Sequence, residues 1–350
     1  MNKKVTVKGV KKPYDILIGK DIFNIIPNKI KELKKVKNVV IITDDNVDKF
    51  YSDMLIGILQ DAGFNTLKFV FPHGENHKTM GTICEILEFM AENNVTRSDL
   101  IVALGGGIVG DVSGYAAASY LRGIDFIQVP TTFLAAIDSS VGGKTGVNLK
   151  SGKNLAGAFY QPRLVVCDIK TFDTLPKENF KEGVCEAIKY GVICDKGLFD
   201  LLSKNENIDI ESVIKRCVSI KAEIVSEDEF DTGKRQLLNL GHTIGHAIEK
   251  ATDFKVSHGI AVGVGMAIIS KISDCLNWSK EATYPQIVKC LENNDIPIDT
   301  EIKTDELLSA MAKDKKRNGD TINLVIPEKI GNCVLKSVAV SELKDVLKCR

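Results

Sequence analysis

Three of the chain's five histidines, His242, His246 and His258, fall within 17 residues. In "LNLGHTIGHAIEKATDFKVSHG" the first two are four residues apart, which puts them on one face of a helix. His258 opens the next apolar run, and Glu249 and Asp253 lie near it in sequence. Zinc takes imidazole nitrogens and carboxylate oxygens, and a catalytic site keeps one position open. A further carboxylate could come from Glu182 or Glu186 in "KEGVCEAIKYG". Glu186 and Lys189 are three apart and project the same way. Val184, Ala187, Ile188 and Val192 around them predict a buried helix instead of a surface ion pair. The pattern predicts a divalent-metal centre and leaves its ligand set open.

A second chemistry is written in glycine. "LIVALGGGIVGD" (100–111) runs a strand-like segment into Gly105, Gly106, Gly107, Gly110 and Asp111. Glycines there let backbone N–H groups approach an anion at a helix N-terminus. The same glycines would equally serve a tight turn with close helix packing. Asp111 would repel a pyrophosphate directly beneath it and suits a ligand hydroxyl or amide better. The standard dinucleotide fingerprint also places an acid at the end of the next strand, about 20 residues on. Asp125 has that spacing but starts its strand, whereas Asp44 ends an earlier one. The expectation is a dinucleotide site of non-standard layout.

In "DSSVGGKTGVNLKSGKNLAGAF" (138–159), five glycines alternate with Lys144, Lys150 and Lys153. Glycine permits close approach and lysine supplies point charges for phosphate or carboxylate. The spacing is not that of a P-loop. Arg122, Lys221, Arg235 (four before Asn239), Lys315 and Lys316 are further cations that an anionic substrate could gather.

The elements that must position these residues come in two textures. Segments 37–45, 66–72, 99–106 and 124–132 read as strands, alternating with helices over 47–63, 77–94 and 107–121. That rhythm means βαβ units and a mainly parallel, Rossmann-like sheet. Beyond about residue 175, helical segments dominate, with one β-hairpin-like exception at 320–340. The fold class is therefore an α/β domain, 1–174, followed by a helical domain, 175–350.

Bulk properties narrow the function class. A chain of 350 residues is long for one core. Its 46 basic and 46 acidic residues balance, so nothing points to nucleic acid or an anionic membrane. The longest apolar-plus-glycine run, 100–110, is too short to span a bilayer, and "MNKKVTVKGVKKPYD" lacks the apolar core of a secretory signal. The nine cysteines form no C-x-x-C pair and read as reduced, mostly buried thiols, which implies the cytoplasm.

Taken in order, "YDILIG", "ALGGGIVGD", "SYLRGI", "VPTTFLAAIDSSVGGKTGVN", "GKNLAGAF", "CEAIKYG", "LNLGHTIGHAIE" and "MAKDKK" resemble the 3-dehydroquinate synthase family, within the sugar phosphate cyclases. The resemblance covers about residues 13–330. It implies conversion of 3-deoxy-D-arabino-heptulosonate 7-phosphate to 3-dehydroquinate: transient oxidation by bound NAD, phosphate elimination, reduction, ring opening and intramolecular aldol closure. It implies NAD, one zinc or cobalt ion per subunit, and a homodimer.

Carried over by position, the resemblance implies metal ligands Glu186, His242 and His258, with His246 a substrate contact. It implies substrate and phosphate contacts at Asp138, Lys144, Asn154, Lys189, Lys221, Arg235, Asn239 and one or both of Lys315 and Lys316. Arg122 resembles a residue donated to the partner's site. The NAD contacts it implies are Asp44, His73, Gly74, Glu75, Lys78, Gly107, Ile108, Val109, Gly110, Asp111, Thr131, Thr132, Lys144, Lys153, Thr171, Phe172, Asp173 and Thr174. Three positions depart from the family pattern: His73 for Asp, Ala136 for Gln and Asp231 for Glu. A cyclase acting on another sugar phosphate shares most of these motifs. A polyol dehydrogenase has less use for the lysine-rich stretch, and a non-catalytic relic would not need Glu186, His242 and His258 intact.

Overall fold

A computed structural model of the chain describes residues 2–206, 208–311, 317–318 and 320–350. They form two compact units, Met1–Pro176 with Ile210–Phe230, and Lys177–Asp209 with Asp231–Arg350.

In chain order, the first part of the first unit runs β1 (Lys3–Val7), β2 (Tyr14–Gly19), α1 (Ile26–Leu33), β3 (Asn38–Asp44), α2 (Asp45–Val47), α3 (Asp53–Asp61) and β4 (Asn65–Phe71). It continues through α4 (Met80–Glu92), β5 (Leu100–Gly105), α5 (Gly107–Ser119), β6 (Asp125–Pro130), β7 (Lys144–Leu149), β8 (Gly152–Phe159) and β9 (Leu164–Asp168). Seven strands make one sheet in the order β1-β2-β9-β6-β5-β3-β4. Only β1 and β2 pair antiparallel; every other neighbour is parallel. Central strands such as β3 and β5 are buried on both faces, so they read as continuous apolar runs. One face packs under Ile26, Ile30, Leu55 and Leu59 from α1 and α3. The other packs under Ile83, Ile86, Val109, Val112 and Ala116 from α4 and α5.

One stretch gains a definite form here, and one expectation changes. The glycine- and lysine-rich stretch is an ordered hairpin, β7 paired with β8, in which Gly146 faces Gly157. The changed expectation concerns α8 (Ile210–Glu227), which the sequence assigns to the helical half. It belongs to the first unit, where it packs on β1 and β2 and Ser226 Oγ bonds the Lys8 carbonyl. The buried stripe Val213, Cys217, Val218, Ile224 and Val225 announces an amphipathic helix, but periodicity does not say which surface receives it.

The second unit contains α6 (Lys177–Cys194), α7 (Lys196–Lys204), α9 (His242–Ala251), α10 (His258–Cys275), α11 (Tyr284–Asn293), α12 (Thr304–Met311) and α13 (Leu343–Val346). A small antiparallel sheet accompanies them: β10 (Arg317–Asn318), β11 (Thr321–Lys329) and β12 (Asn332–Ala339), the last two making the expected hairpin. Helices α9 and α10 cross closely. A Cβ at Gly265 would press on the Gly241 carbonyl oxygen and lie 3.0 Å from the Gly245 nitrogen, so only glycine allows this approach.

The expectation that all nine cysteines are thiols is corrected. Cys275 and Cys349 form a disulfide that ties the C-terminal turn to the end of α10. Their Cα atoms are 6.1 Å apart, a separation a disulfide spans. The other seven cysteines are thiols, and five of those are buried. Among the described residues, no helix is long and apolar enough to cross a membrane.

Candidate active site

In the first unit, the expected nucleotide residues follow the carboxyl ends of parallel strands along one edge of the sheet. Asp44 ends β3, and His73 and Gly74 come just after β4. Gly105 ends β5, Thr131 follows β6, and Thr171–Thr174 lie just past β9. The strand order reverses between β3 and β5, because β3 leads outward to β4 and the chain then returns to the other side. Open α/β sheets bind ligands outside the carboxyl ends at such a reversal.

Helix α5 starts at this edge with Gly106 as its N-cap. At Gly110, a Cβ would come within 2.6 Å of Gln128 Oε1 on β6, so this glycine serves helix-to-sheet packing. The Val109 side chain is in the core, which leaves only its backbone to face a ligand; Ile108 is half-buried. Asp111, which looked ill placed, has a partner. Lys78 Nζ is 2.6 Å from Asp111 Oδ2 and 2.7 Å from Asn154 Oδ1. Burial pushes the Asp111 carboxyl above its ordinary range, while Lys78 pulls it back.

The hairpin joins the same network. Asn148 N donates to the Lys78 carbonyl (2.9 Å), and Asn148 Nδ2 to Glu75 Oε1 (2.8 Å). Lys153 lies 3.7 Å from Glu75, and Asn154 N donates to Asn148 Oδ1. The structure thus brings together Glu75, Lys78, Asp111, Lys153 and Asn154, with Asn148 as a member that spacing did not reveal. Lys144 begins the hairpin, exposed.

Other expected contacts are occupied locally. Asp44 caps α2 by accepting from the backbone of Asn46 and Val47. His73 is exposed and bonds Asp45 Oδ1 through both its backbone N–H and Nδ1, which holds the Asp45 carboxyl below its ordinary pKa. Thr132 caps the turn at Ala135, whereas the buried Thr131 hydroxyl has no hydrogen-bond partner among the described residues. Tyr51 Oη bonds the Thr171 carbonyl and Thr174 Oγ1, tying the segment after β9 to the turn before α3. Phe172 rests edge-on against Phe133, and Asp173 pairs with Lys170 on the surface. Lys221 of α8 reaches back 83 residues to Asp138, with Nζ 2.8 Å from both its carbonyl and its Oδ1. Arg122 is exposed on a tip where it and Leu121 adopt left-handed backbone, φ 66° and 49°.

In the second unit, α6 carries Glu186 in its buried face. Glu186 is fully buried, with Oε1 3.6 Å from His242 Nε2 and 3.7 Å from His258 Nε2. Lys189 is in direct ionic contact with Oε2; among the described residues, neither carboxylate oxygen is otherwise hydrogen-bonded. The three donor atoms lie within 4.8 Å of one another. Ligands about 2.1 Å from a zinc ion at tetrahedral angles would be about 3.4 Å apart. The donor set fits a divalent ion, with Glu186 Oε1 turned to both imidazoles, and the i, i+4 pair His242 and His246 is not the arrangement that does so with Glu186. His242 Nδ1 is 3.1 Å from the Leu240 carbonyl, and His258 Nδ1 is 3.1 Å from Glu249 Oε2. Burial of the His258 ring disfavours its proton, but the carboxylates of Glu249 and Glu186 outweigh that and raise its pKa.

His246 is half-buried on α9, its ring centroid 5.5 Å from that of His242 and 5.8 Å from that of His258. Glu182 is not in this cluster; it faces the N-terminus of α10 at Gly259. Asp253 is exposed. Arg235, 2% exposed, and half-buried Asn239 share one short 3-10 helix, Lys234–Asn239. Lys315 and Lys316 lie outside the described residues.

Residues 68–182 match the family described as 3-dehydroquinate synthase N-terminal, and residues 183–317 the family described as 3-dehydroquinate synthase C-terminal. The chain is 44% identical over 342 residues to a 3-dehydroquinate synthase of Clostridium acetobutylicum, a match covering 96% of each chain. Among solved structures, it is similar to 2-deoxy-scyllo-inosose synthase complexed with carbaglucose-6-phosphate, NAD+ and Co2+ (TM-score 0.88, 28% identity, 99% of each chain). It shares its fold with 2-epi-5-epi-valiolone synthase from Streptomyces hygroscopicus subsp. jinggangensis with NAD+ and Zn2+ bound (TM-score 0.87, 24% identity, 96% of each chain).

Proposed function

The chain belongs to the 3-dehydroquinate synthase family, and from that premise we propose that it converts 3-deoxy-D-arabino-heptulosonate 7-phosphate to 3-dehydroquinate and phosphate, a step of the shikimate pathway. It is a phosphate-eliminating lyase that uses NAD and one divalent ion, zinc or cobalt. Bound NAD supplies a hydride acceptor that is restored within each turnover, and the ion polarises substrate oxygens. The observation that carries this reading is the buried Glu186 carboxylate with two imidazole Nε2 atoms aimed at it.

Each unit has its part. Glu186, His242 and His258 hold the ion. Lys78, Asp111, Glu75 and Lys153 hold the nucleotide, with Gly107–Gly110, Thr131 and Thr132 offering backbone or hydroxyl groups at the sheet edge. Asp138 is oriented by Lys221, and Lys144, Asn154, Lys189, Arg235, Asn239 and His246 bind an acidic, phosphorylated sugar. Buried cations such as Lys189 and Arg235 attract phosphate and carboxylate more strongly than exposed ones, because little water screens them. Cytoplasmic location and a homodimer, with Arg122 reaching the partner's site, complete the proposal.

The test is turnover itself. With NAD+, Zn2+ and the heptulosonate phosphate, phosphate and 3-dehydroquinate should appear in equal amounts without net NADH. Phosphate release from a hexose phosphate but not from the heptulosonate phosphate would overturn the reading in favour of another cyclase. Steady NADH accumulation would mark a dehydrogenase.

A further inference from the structure

Glu249 lies seven residues after His242 and three after His246, on the same side of α9, and it is buried. A carboxylate taken out of water needs a partner. Its Oε2 is 3.1 Å from His258 Nδ1, while His258 Nε2 faces Glu186 Oε1 at 3.7 Å. A neutral imidazole carries one proton, so the nitrogen that donates leaves the other as the lone-pair donor. His242 shows the same polarity, with Nδ1 at the Leu240 carbonyl and Nε2 toward Glu186. Both rings are held at Nδ1, one by a backbone carbonyl and one by a carboxylate, and present Nε2 to the Glu186 carboxylate.

We propose that Glu249 is a positioning residue for the divalent ion: it accepts the Nδ1 proton of His258, fixes that ring's tautomer and orientation, and strengthens Nε2 as a ligand. This rests on the reading of Glu186, His242 and His258 as the ion's ligands. Glu249 also forms a second donor triangle with His246 and His258. In that arrangement it would bind an ion directly, and Glu186 would be left out. An amide separates the two roles, because glutamine accepts an N–H bond through its oxygen but is a poor substitute for a ligating carboxylate.

Metal-stripped full-length protein, Glu249→Ala and Glu249→Gln are titrated with Zn2+ against a chelating indicator, and the visible spectrum of each is recorded with Co2+. The parent binds one ion per chain. Glu249→Ala weakens zinc binding about 10- to 100-fold, the usual cost of losing a partner behind a ligating histidine. It also changes the cobalt spectrum, and Glu249→Gln restores most of both. An unchanged Kd in Glu249→Ala, or a loss in Glu249→Gln as large as in Glu249→Ala, overturns the proposal. A parent that binds no zinc overturns the metal reading itself, which is a different result from a parent that binds and a variant that does not care.

Discussion

Lys78 and Asp111 form an ion pair, Nζ to Oδ2 2.6 Å, inside the first turns of the glycine-started helix. The pair explains how an acid sits at a helix N-terminus that the proposed function assigns to a nucleotide: its charge is already balanced by a lysine from the segment after β4. Removing the lysine alone strands a part-buried carboxylate, which costs more than the pair contributes. Lys78→Ala should lose about 2–3 kcal/mol of stability and most of its NAD affinity, read by thermal unfolding and NAD titration. The sign with pH follows from burial, which raises the Asp111 pKa. A raised pKa means stability is present below the unfolded value and lost as pH rises. The deficit of Lys78→Ala relative to the parent should therefore widen from about pH 4 to pH 7.

His242→Ala removes one of three ligand atoms around the proposed ion. Zinc affinity should fall by more than about 100-fold, beyond what loss of a partner behind a ligand costs. Metal content per chain and phosphate release should fall together. Full zinc occupancy in this variant would refute the ligand set.

Lys221 holds Asp138 through both its backbone carbonyl and its carboxylate. Lys221→Ala should lower kcat/KM for phosphate release about 10²–10³-fold, the usual scale for one positioned charge in a site. Asp138 is partly exposed, so the loss of stability should stay near 1–2 kcal/mol.

Gly265→Ala touches no donor atom. It pushes α10 away from α9 at the Gly241 carbonyl, so it should cost about 1–3 kcal/mol and weaken zinc binding through misplaced histidines. A variant with unchanged melting temperature and zinc affinity would show that the crossing is not that tight.

Asp99 tests acid stability away from the site. Its buried carboxylate accepts from Thr96 N and Oγ1 and from Asn38 N and Nδ2, at 2.7–3.1 Å. Burial pushes its pKa up, but these four bonds outweigh it and leave the value lowered. A lowered folded pKa means the stabilisation is present above the unfolded value, about 3.9, and is lost as pH falls through the folded one. Asp99→Asn should cost about 1–3 kcal/mol at pH 7, because an amide turns a donor toward donors. It should also flatten the fall in melting temperature below pH 4.

Much of the molecule is determined within short windows. Apolar runs such as Asn38–Asp44 and Leu100–Gly105 read as strands buried on both faces, and their alternation with helices implies a mainly parallel sheet. The types and spacing of His242, His246 and His258 raise the expectation of a metal centre, although the period of one helix pairs only His242 with His246. Glycines at 105–110 announce a close turn before any partner is known.

What tertiary structure alone decided are the pairings between distant windows. Periodicity gives each helix a face but not the surface that receives it, so α8 left the helical half for the sheet of the first unit. A single residue rarely reveals its distant partner, so Lys78 with Asp111, Lys221 with Asp138, and Cys275 with Cys349 became visible only when their elements packed. The same holds for the metal cluster. Which carboxylate faces His242 and His258 depends on how α6 packs against α10, and the contact of Glu249 with His258 depends on how closely α9 crosses α10. That distance is set by Gly241, Gly245 and Gly265, not by any ligand residue.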